Sequence, residues 1–201
     1  MSGYGAIRMR MKVGVVGSAG GDLKPEVLEK AREMGRCLAR HDIIVVTGSA
    51  PGLPHEAVLG AKEIGAMVIG ISPALSLDQH REVYRAPWEE YDALIFTGSG
   101  LMGREIEIIR TCEAVIVIGG RSGTLGEFAI AYDESRLIGV LTGTGGIADH
   151  VSELLAVIDK QTGADVISNG DPEALLSMMI DRHRERIVRG LAYRGPVIHD
   201  S

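Results

Sequence analysis

Residues Ala114–Ala131 read AVIVIGGRSGTLGEFAIA, and their pattern decides the fold. Ala114–Ile118 is an unbroken apolar, largely β-branched run, the composition of a central parallel strand covered on both faces. Gly119, Gly120 and Gly123 follow, and glycine lets a backbone turn sharply and come close to a ligand. From Thr124 the spacing turns helical. Strand, glycine turn and helix in succession aim the first N–H groups of the helix into the turn, where they attract anions. Arg121 offers a cation to a phosphate, and Ser122 and Thr124 add hydroxyls. Glu127, one turn into the helix, faces the same mouth. A carboxylate is an odd neighbour for a loop that only holds phosphate.

Outward from this stretch the chain repeats the alternation. Lys12–Gly17 (KVGVVG) reads as a strand, Ser18-Ala19-Gly20-Gly21 as a turn, and Pro25 opens a helix to about Arg40. Ile43–Thr47 is a second strand, followed by the turn Gly48–Leu53 (GSAPGL), a helix over 54–64 and a third strand, Met67–Ile71. Residues 72–91 form a long connection with Pro73, Pro87 and Trp88, of a length at which loops often act as lids. Ala93–Thr97 is the fourth strand and 101–111 a helix. After the central strand come a strand at Ile138–Leu141, a helix over 148–159 and a short strand, Asp165–Ile167. The final helix covers 171–191, with Asp171 as cap and Pro172 at its first position.

Strands alternating with helices predict an α/β fold: a doubly wound parallel sheet, Rossmann-like, with helices on both faces. A single domain over 12–191 is expected between a disordered lead-in, 1–11, and a tail, 192–201. Such sheets bind ligands beyond the carboxyl ends of their strands. Three glycine turns meet at that edge. The candidate ligand and phosphate contacts are Gly17, Ser18 and Ala19 in the first turn and Gly48, Ser49 and Gly52 in the second. Gly119, Gly120, Arg121, Ser122, Gly123 and Thr124 supply the third. One such turn says little, but three at equivalent strand ends point to a phosphorylated small-molecule ligand.

Composition narrows the classes. With 201 residues, 45% of them apolar, the chain can bury an ample core. A formal net charge of −6 disfavours nucleic acid as a partner. No apolar run reaches membrane-spanning length and no signal peptide is apparent, so a cytoplasmic protein is expected. Cys37 and Cys112 fall in predicted helices and read as reduced thiols. The first turn, GSAGGD, lacks the G-x-G-x-x-G spacing, and the second strand ends in Thr47-Gly48 without an acidic residue for a ribose, so NAD is disfavoured. No G-x-x-x-x-G-K-[ST] motif is present. The six histidines (His41, His55, His80, His150, His183 and His199) are scattered and read as surface residues, and no metal site is expected. The basic run Arg182–Arg189 reads as a solvated face, with Leu175, Met179, Ile187 and Leu191 as core or dimer packing.

The motifs resemble those of the lonely-guy superfamily, once widely mislabelled as lysine decarboxylases. Its members pair a glycine-rich GLMG turn after strand two with PGGxGTxxE after the central strand. Here GSAPGLPHEA matches at Gly48, Gly52 and Leu53, and GGRSGTLGE matches at Gly123, Thr124 and Glu127. Arg121 stands where a glycine is expected. The upstream MHxRK signature appears as LMGRE, which places Arg104 on the family arginine and Glu105 on its lysine. The resemblance covers residues 12 to 190. These departures, with TGSG before Arg104 and HREVY over 80–84, are closer to the branch of molybdenum-cofactor carrier proteins.

In the phosphoribohydrolase members the arginine and glutamate are catalytic, releasing a substituted adenine and ribose 5-phosphate from a nucleoside 5′-monophosphate. The resemblance thus implies catalytic roles for Arg104 and Glu127 and a homodimer or higher homo-oligomer. It implies no required cofactor, with an AMP-like nucleotide or molybdopterin as the bound molecule. Cleaving an N-glycosidic bond builds positive charge on the sugar, which a carboxylate stabilises while activating water. An arginine orients sugar, phosphate or carboxylate. The alternative is a non-catalytic carrier or sensor of a pterin phosphate or nucleotide. Local readings stay open as well. Thr124-x-x-Glu127 is also the pattern of a capping box, Arg104 has Glu105 and Glu107 as near partners, and Tyr84 and Trp88 suit either ring stacking or loop anchoring.

Overall fold

The computed structural model describes residues 9–191, so the expected tail over 192–201 and most of the expected lead-in lie outside the described residues. Within them the β-branched runs become strands: β1 (Lys12–Gly17), β2 (Ile44–Thr47), β3 (Val68–Ser72), β4 (Ala93–Phe96), β5 (Ala114–Ile118), β6 (Leu137–Leu141) and β7 (Asp165–Asn169). They form one seven-stranded sheet in the order β4-β3-β2-β1-β5-β6-β7, every pairing parallel. The helices are α1 (Pro25–Arg40), α2 (Leu53–Glu63), α3 (Leu77–Glu82), α4 (Gly100–Thr111), α5 (Ser122–Asp133), α6 (Val151–Ile158) and α7 (Pro172–Val188). The chain winds outward from β1 to β4, then returns beside β1 as β5 and winds the other way. That reversal makes β1 and β5 the switch point of the sheet, where a doubly wound fold opens a crevice.

Strand alternation divides the core in two. Val13, Val15, Ile116 and Ile118 pack with α1, α2 and α7 on one face. Val16, Val115 and Val117 pack with α4, α5 and α6 on the other. This is why all five residues of β5 are buried. Asp171 caps α7 as expected, its Oδ1 accepting the Ala174 N–H at 2.8 Å, with Pro172 at the first helical position.

The α1–α2 crossing depends on two glycines. A β-carbon at Gly35 would stand 1.9 Å from the Ala57 carbonyl oxygen, and one at Gly60 1.9 Å from that of Arg32. The helix backbones therefore touch, with no room for a side chain. Gly35→Ala is expected to cost about 1–3 kcal/mol through forced separation. A thermal unfolding midpoint equal to that of the wild type would refute this.

Several expectations are corrected. The connection over 72–91 is no open lid: it holds α3, capped by Ser76, and is fixed to the body through His80. His80 is fully buried, not a surface residue. Its Nε2–H donates to the Pro87 carbonyl (3.0 Å), leaving Nδ1 to accept from the Ser72 hydroxyl at 2.8 Å. Trp88 lies under the Arg81 guanidinium, 5.2 Å from the ring centre. His183 is buried as well. Nor is Arg182–Arg189 a fully solvated face: Arg186 is buried, donating to Asp165 Oδ2 (2.6 Å) and to the Ser135 carbonyl. Arg182 also reaches Asp165. Of the residues assigned to the lead-in, Met11 runs beside β2 and accepts the Ile44 N–H at 2.9 Å. Cys37 and Cys112 are buried thiols, and burial pushes Cys37 up to about 12. Among the described residues no helix is long and apolar enough to cross a membrane.

Candidate functional site

A cavity of about 280 Å³ opens at the carboxyl edge of β1, β2 and β5. Its walls come from the three glycine turns and from α4. Gly17, Ser18 and Ala19 line it from the first turn, Gly48 from the second, and Arg121, Ser122, Gly123 and Thr124 from the third. Arg104 and Glu127 line it too.

Ser18 ties the turns together. Its Oγ accepts the Gly120 N–H at 2.7 Å and its carbonyl accepts the Leu53 N–H at 2.9 Å. The first turn is thereby joined to the third and to the start of α2. Gly17 has no room for a side chain, since a β-carbon there would lie 2.2 Å from the Ile118 carbonyl oxygen. Gly119 and Gly120 do not line the cavity. Their N–H groups are already given to Thr144 Oγ1 (2.8 Å) and Ser18 Oγ, so they shape the turn. Ser49 and Gly52 also stand behind the wall. Ser49 is buried, its N–H bonded to Thr47 Oγ1 (3.1 Å). Gly52 lies against Ser18 and Ala19 so closely that a β-carbon would stand 2.3 Å from the Ser18 carbonyl oxygen.

Helix α5 begins at Ser122, two residues before the expected start, with Arg121 at the cap position and no side chain capping it. Thr124 is therefore already inside the first turn, and the capping-box geometry does not form. The uncapped N–H groups of Ser122, Gly123 and Thr124 are what a helix start offers an anion. Glu127, freed from capping, meets Arg104 across the cavity: Arg104 Nη1 donates to Glu127 Oε1 at 3.3 Å. Glu127 is only 6% exposed. Burial raises its pKa most, the Arg104 cation opposes this, and Glu105 adds a further upward push, leaving it at about 7.

Arg104 extends from α4 over Gly48, whose missing side chain is what lets it pass. A β-carbon at Gly48 would stand 1.9 Å from Arg104 Nη1. The guanidinium is largely buried, and its Nε has no hydrogen-bond partner among the described residues. Glu107 is engaged elsewhere, accepting from Ser99 Oγ at 2.9 Å.

The model of the SLOG cluster4 family matches residues 10–176. The chain belongs to that family. An uncharacterized protein of Archaeoglobus fulgidus is 28% identical over 131 residues, 65% of this chain and 80% of its own length. The solved structure of TM1055 superposes with a TM-score of 0.74 at 26% identity, over 85% of this chain and 99% of its own. The molybdenum cofactor carrier protein of Chlamydomonas reinhardtii gives 0.69 at 26% identity, over 86% and 99%. The resemblance to the lonely-guy superfamily and its cofactor-carrier branch is thus borne out. In this SLOG cluster4 chain no residue of 72–91 lines the cavity, so Tyr84 and Trp88 offer no ring to a ligand there. Sequence reasoning missed Glu105, which does line it. The signal was present as Gly123 and Gly126, spaced to make a notch on α5 that receives the Glu105 carboxylate.

Proposed function

We propose that the crevice binds a phosphorylated, nucleotide-like small molecule and that Arg104 and Glu127 hydrolyse the N-glycosidic bond of a nucleoside 5′-monophosphate. The observation that carries this reading is the Arg104–Glu127 pair inside the cavity, one turn from an uncapped helix start. The phosphate would take the N–H groups of Ser122, Gly123 and Thr124, with Arg121 as counter-ion. Ionised Glu127 would face the anomeric carbon, stabilise positive charge on the sugar and orient a water. Water oxygen bonds to that carbon as the C–N bond breaks, and the base departs with the bonding pair and a proton. Arg104 acts by holding Glu127 and the sugar in register.

The second reading is carriage of molybdopterin without chemistry, favoured by the Chlamydomonas carrier protein among the similar structures. In both readings the protein is cytoplasmic and a homodimer. Support for the dimer comes from Leu101, Met102 and Ile106, exposed apolar side chains on the helix that carries Arg104.

The deciding experiment measures ribose 5-phosphate release from a panel of nucleoside 5′-monophosphates. Equilibrium binding of AMP and of molybdopterin, and sedimentation of the free protein, run in parallel. Release from one member of the panel is the expected result. No release, with tight molybdopterin binding, would replace hydrolysis by carriage. A monomer at all concentrations would remove the dimer.

A further inference from the structure

We infer that a cavity at the amino edge of the sheet is a second binding site, built for an aromatic carboxylate that carries a ring hydroxyl. It lies at the opposite edge from the crevice and stands independently of the roles given to Arg104 and Glu127. Three observations carry it.

The first is the cavity itself. It opens between the residues that lead into β1 and β2 and the second half of α7, with a volume of about 810 Å³ against about 280 Å³ for the crevice. That lies within the range of small-molecule sites. Met11, Ile43, Ile180 and Ile187 supply apolar wall, and Met9 adds a second thioether. Ile43 is only 3% exposed, so the wall reaches into the core. Thioether sulfurs make favourable contacts with aromatic rings, and guanidinium planes stack on ring faces. Such a lining suits a flat ring better than an acyl chain.

The second is His183. It lines the same cavity, is 8% exposed, and its Nδ1 is buried with no hydrogen-bond partner among the described residues. Burial holds its pKa below the ordinary imidazole value, with Glu113 opposing the shift and Arg186 adding to it. The ring is therefore neutral at pH 7, with one nitrogen to donate and one to accept. Nearly all buried polar groups in folded proteins are paired, so this ring marks where a polar atom of an occupant belongs. A hydroxyl, which both donates and accepts, satisfies either tautomer.

The third is the charge. Arg10 and Arg184 line the cavity, with Asp42 as the one carboxylate among its lining residues. Arg10 holds Asp42 at 2.8 Å and Arg184 holds Asp181 at 2.9 Å. Exposed pairs of this kind exchange partners at little cost. A guanidinium has five N–H donors, so both arginines can take a ligand carboxylate without releasing their present partners. Carboxylate at the arginines, hydroxyl at His183 and flat ring between them define the occupant.

Calorimetric titration of the full chain with 6-hydroxy-2-naphthoate, 2-naphthoate, 2-naphthol and decanoate tests this. The hydroxynaphthoate is expected to saturate a single site, about fivefold tighter than either 2-naphthoate or 2-naphthol. Arg184→Gln should erase most of its advantage over 2-naphthol. His183→Phe, which keeps a ring in place, should erase its advantage over 2-naphthoate. Ile187→Trp fills the opening from a half-exposed position and should abolish binding of all three ring compounds. Circular dichroism and the unfolding midpoint establish that each variant is folded. An excess of AMP should displace none of the probes. A wild type that binds no ring compound would overturn the site, as would binding that survives Ile187→Trp unchanged. Displacement by AMP would place the probes in the crevice and overturn it too. Decanoate binding tighter than the naphthoates would overturn the aromatic class.

Discussion

Glu127→Gln is expected to abolish ribose 5-phosphate release while ligand binding persists. The substitution keeps the size of the side chain and its ability to accept from Arg104, whose Nη1 stands 3.3 Å from Oε1. It removes the negative charge that would face the developing cation, and with it the capacity to activate water. Loss of a positioned acid–base group lowers rates by about 10²–10⁴-fold. The phosphate contacts, on Ser122, Gly123, Thr124 and Arg121, are untouched, so affinity for AMP should change little. A variant that still turns over at the wild-type rate would remove Glu127 from the chemistry.

The pH dependence gives the same hypothesis a second test. Burial lifts the Glu127 pKa from 4.5 to about 7. Only the ionised form stabilises a cation, so kcat/KM should rise about tenfold per pH unit below 7 and level off above it. Stability runs the opposite way. The folded protein keeps this proton between pH 4.5 and about 7, where the unfolded chain has lost it. That contribution to stability is therefore full at acid pH and is lost as the pH rises through about 7. Glu127→Gln carries no such proton, so its unfolding midpoint should vary less between pH 5 and 8 than that of the wild type. An activity profile flat from pH 5 to 8 would argue against Glu127 as the ionising group.

How far the site was legible follows from which contacts are local. The AVIVI run announces β5 because burial on both faces leaves no polar position, and the three glycine turns mark the carboxyl edge because tight approach excludes side chains. Those are properties of single segments. Glu127 as partner of Arg104 was reached through the family motif, not through spacing, since 23 residues separate the two. His80 was unreadable: one histidine in a polar stretch gives no sign that Ser72 and the Pro87 carbonyl close around it. Arg186 was hidden for the same reason, its partner Asp165 lying on β7. Glu105 was passed over because adjacent helix residues point about 100° apart. Only the notch at Gly123 and Gly126, on another helix, brings its carboxylate to the cavity wall.

Gly48→Ala is expected to reproduce the loss caused by removing Arg104, although it adds one methyl group to a different element. The new carbon would stand 1.9 Å from Arg104 Nη1, 2.3 Å from Cζ and 2.8 Å from Nη2. The backbone at the end of β2 is held by pairing with β1 and β3, so the guanidinium must be the part that yields. It is largely buried and sits in line with Glu127, so any retreat lengthens a bond already at 3.3 Å. Glu127 would then be buried without its cation, and its pKa should climb further above 7. The activity that survives should therefore be lower, by about 10²-fold, and its pH profile shifted to more alkaline values. The fold should persist, because the clash falls on the end of a side chain and not on the backbone. Arg104→Ala is the matching control: if Gly48→Ala works by displacing the guanidinium, the double variant should be no slower than Arg104→Ala alone. Additive losses would mean that Gly48 contributes through the turn itself, independently of Arg104.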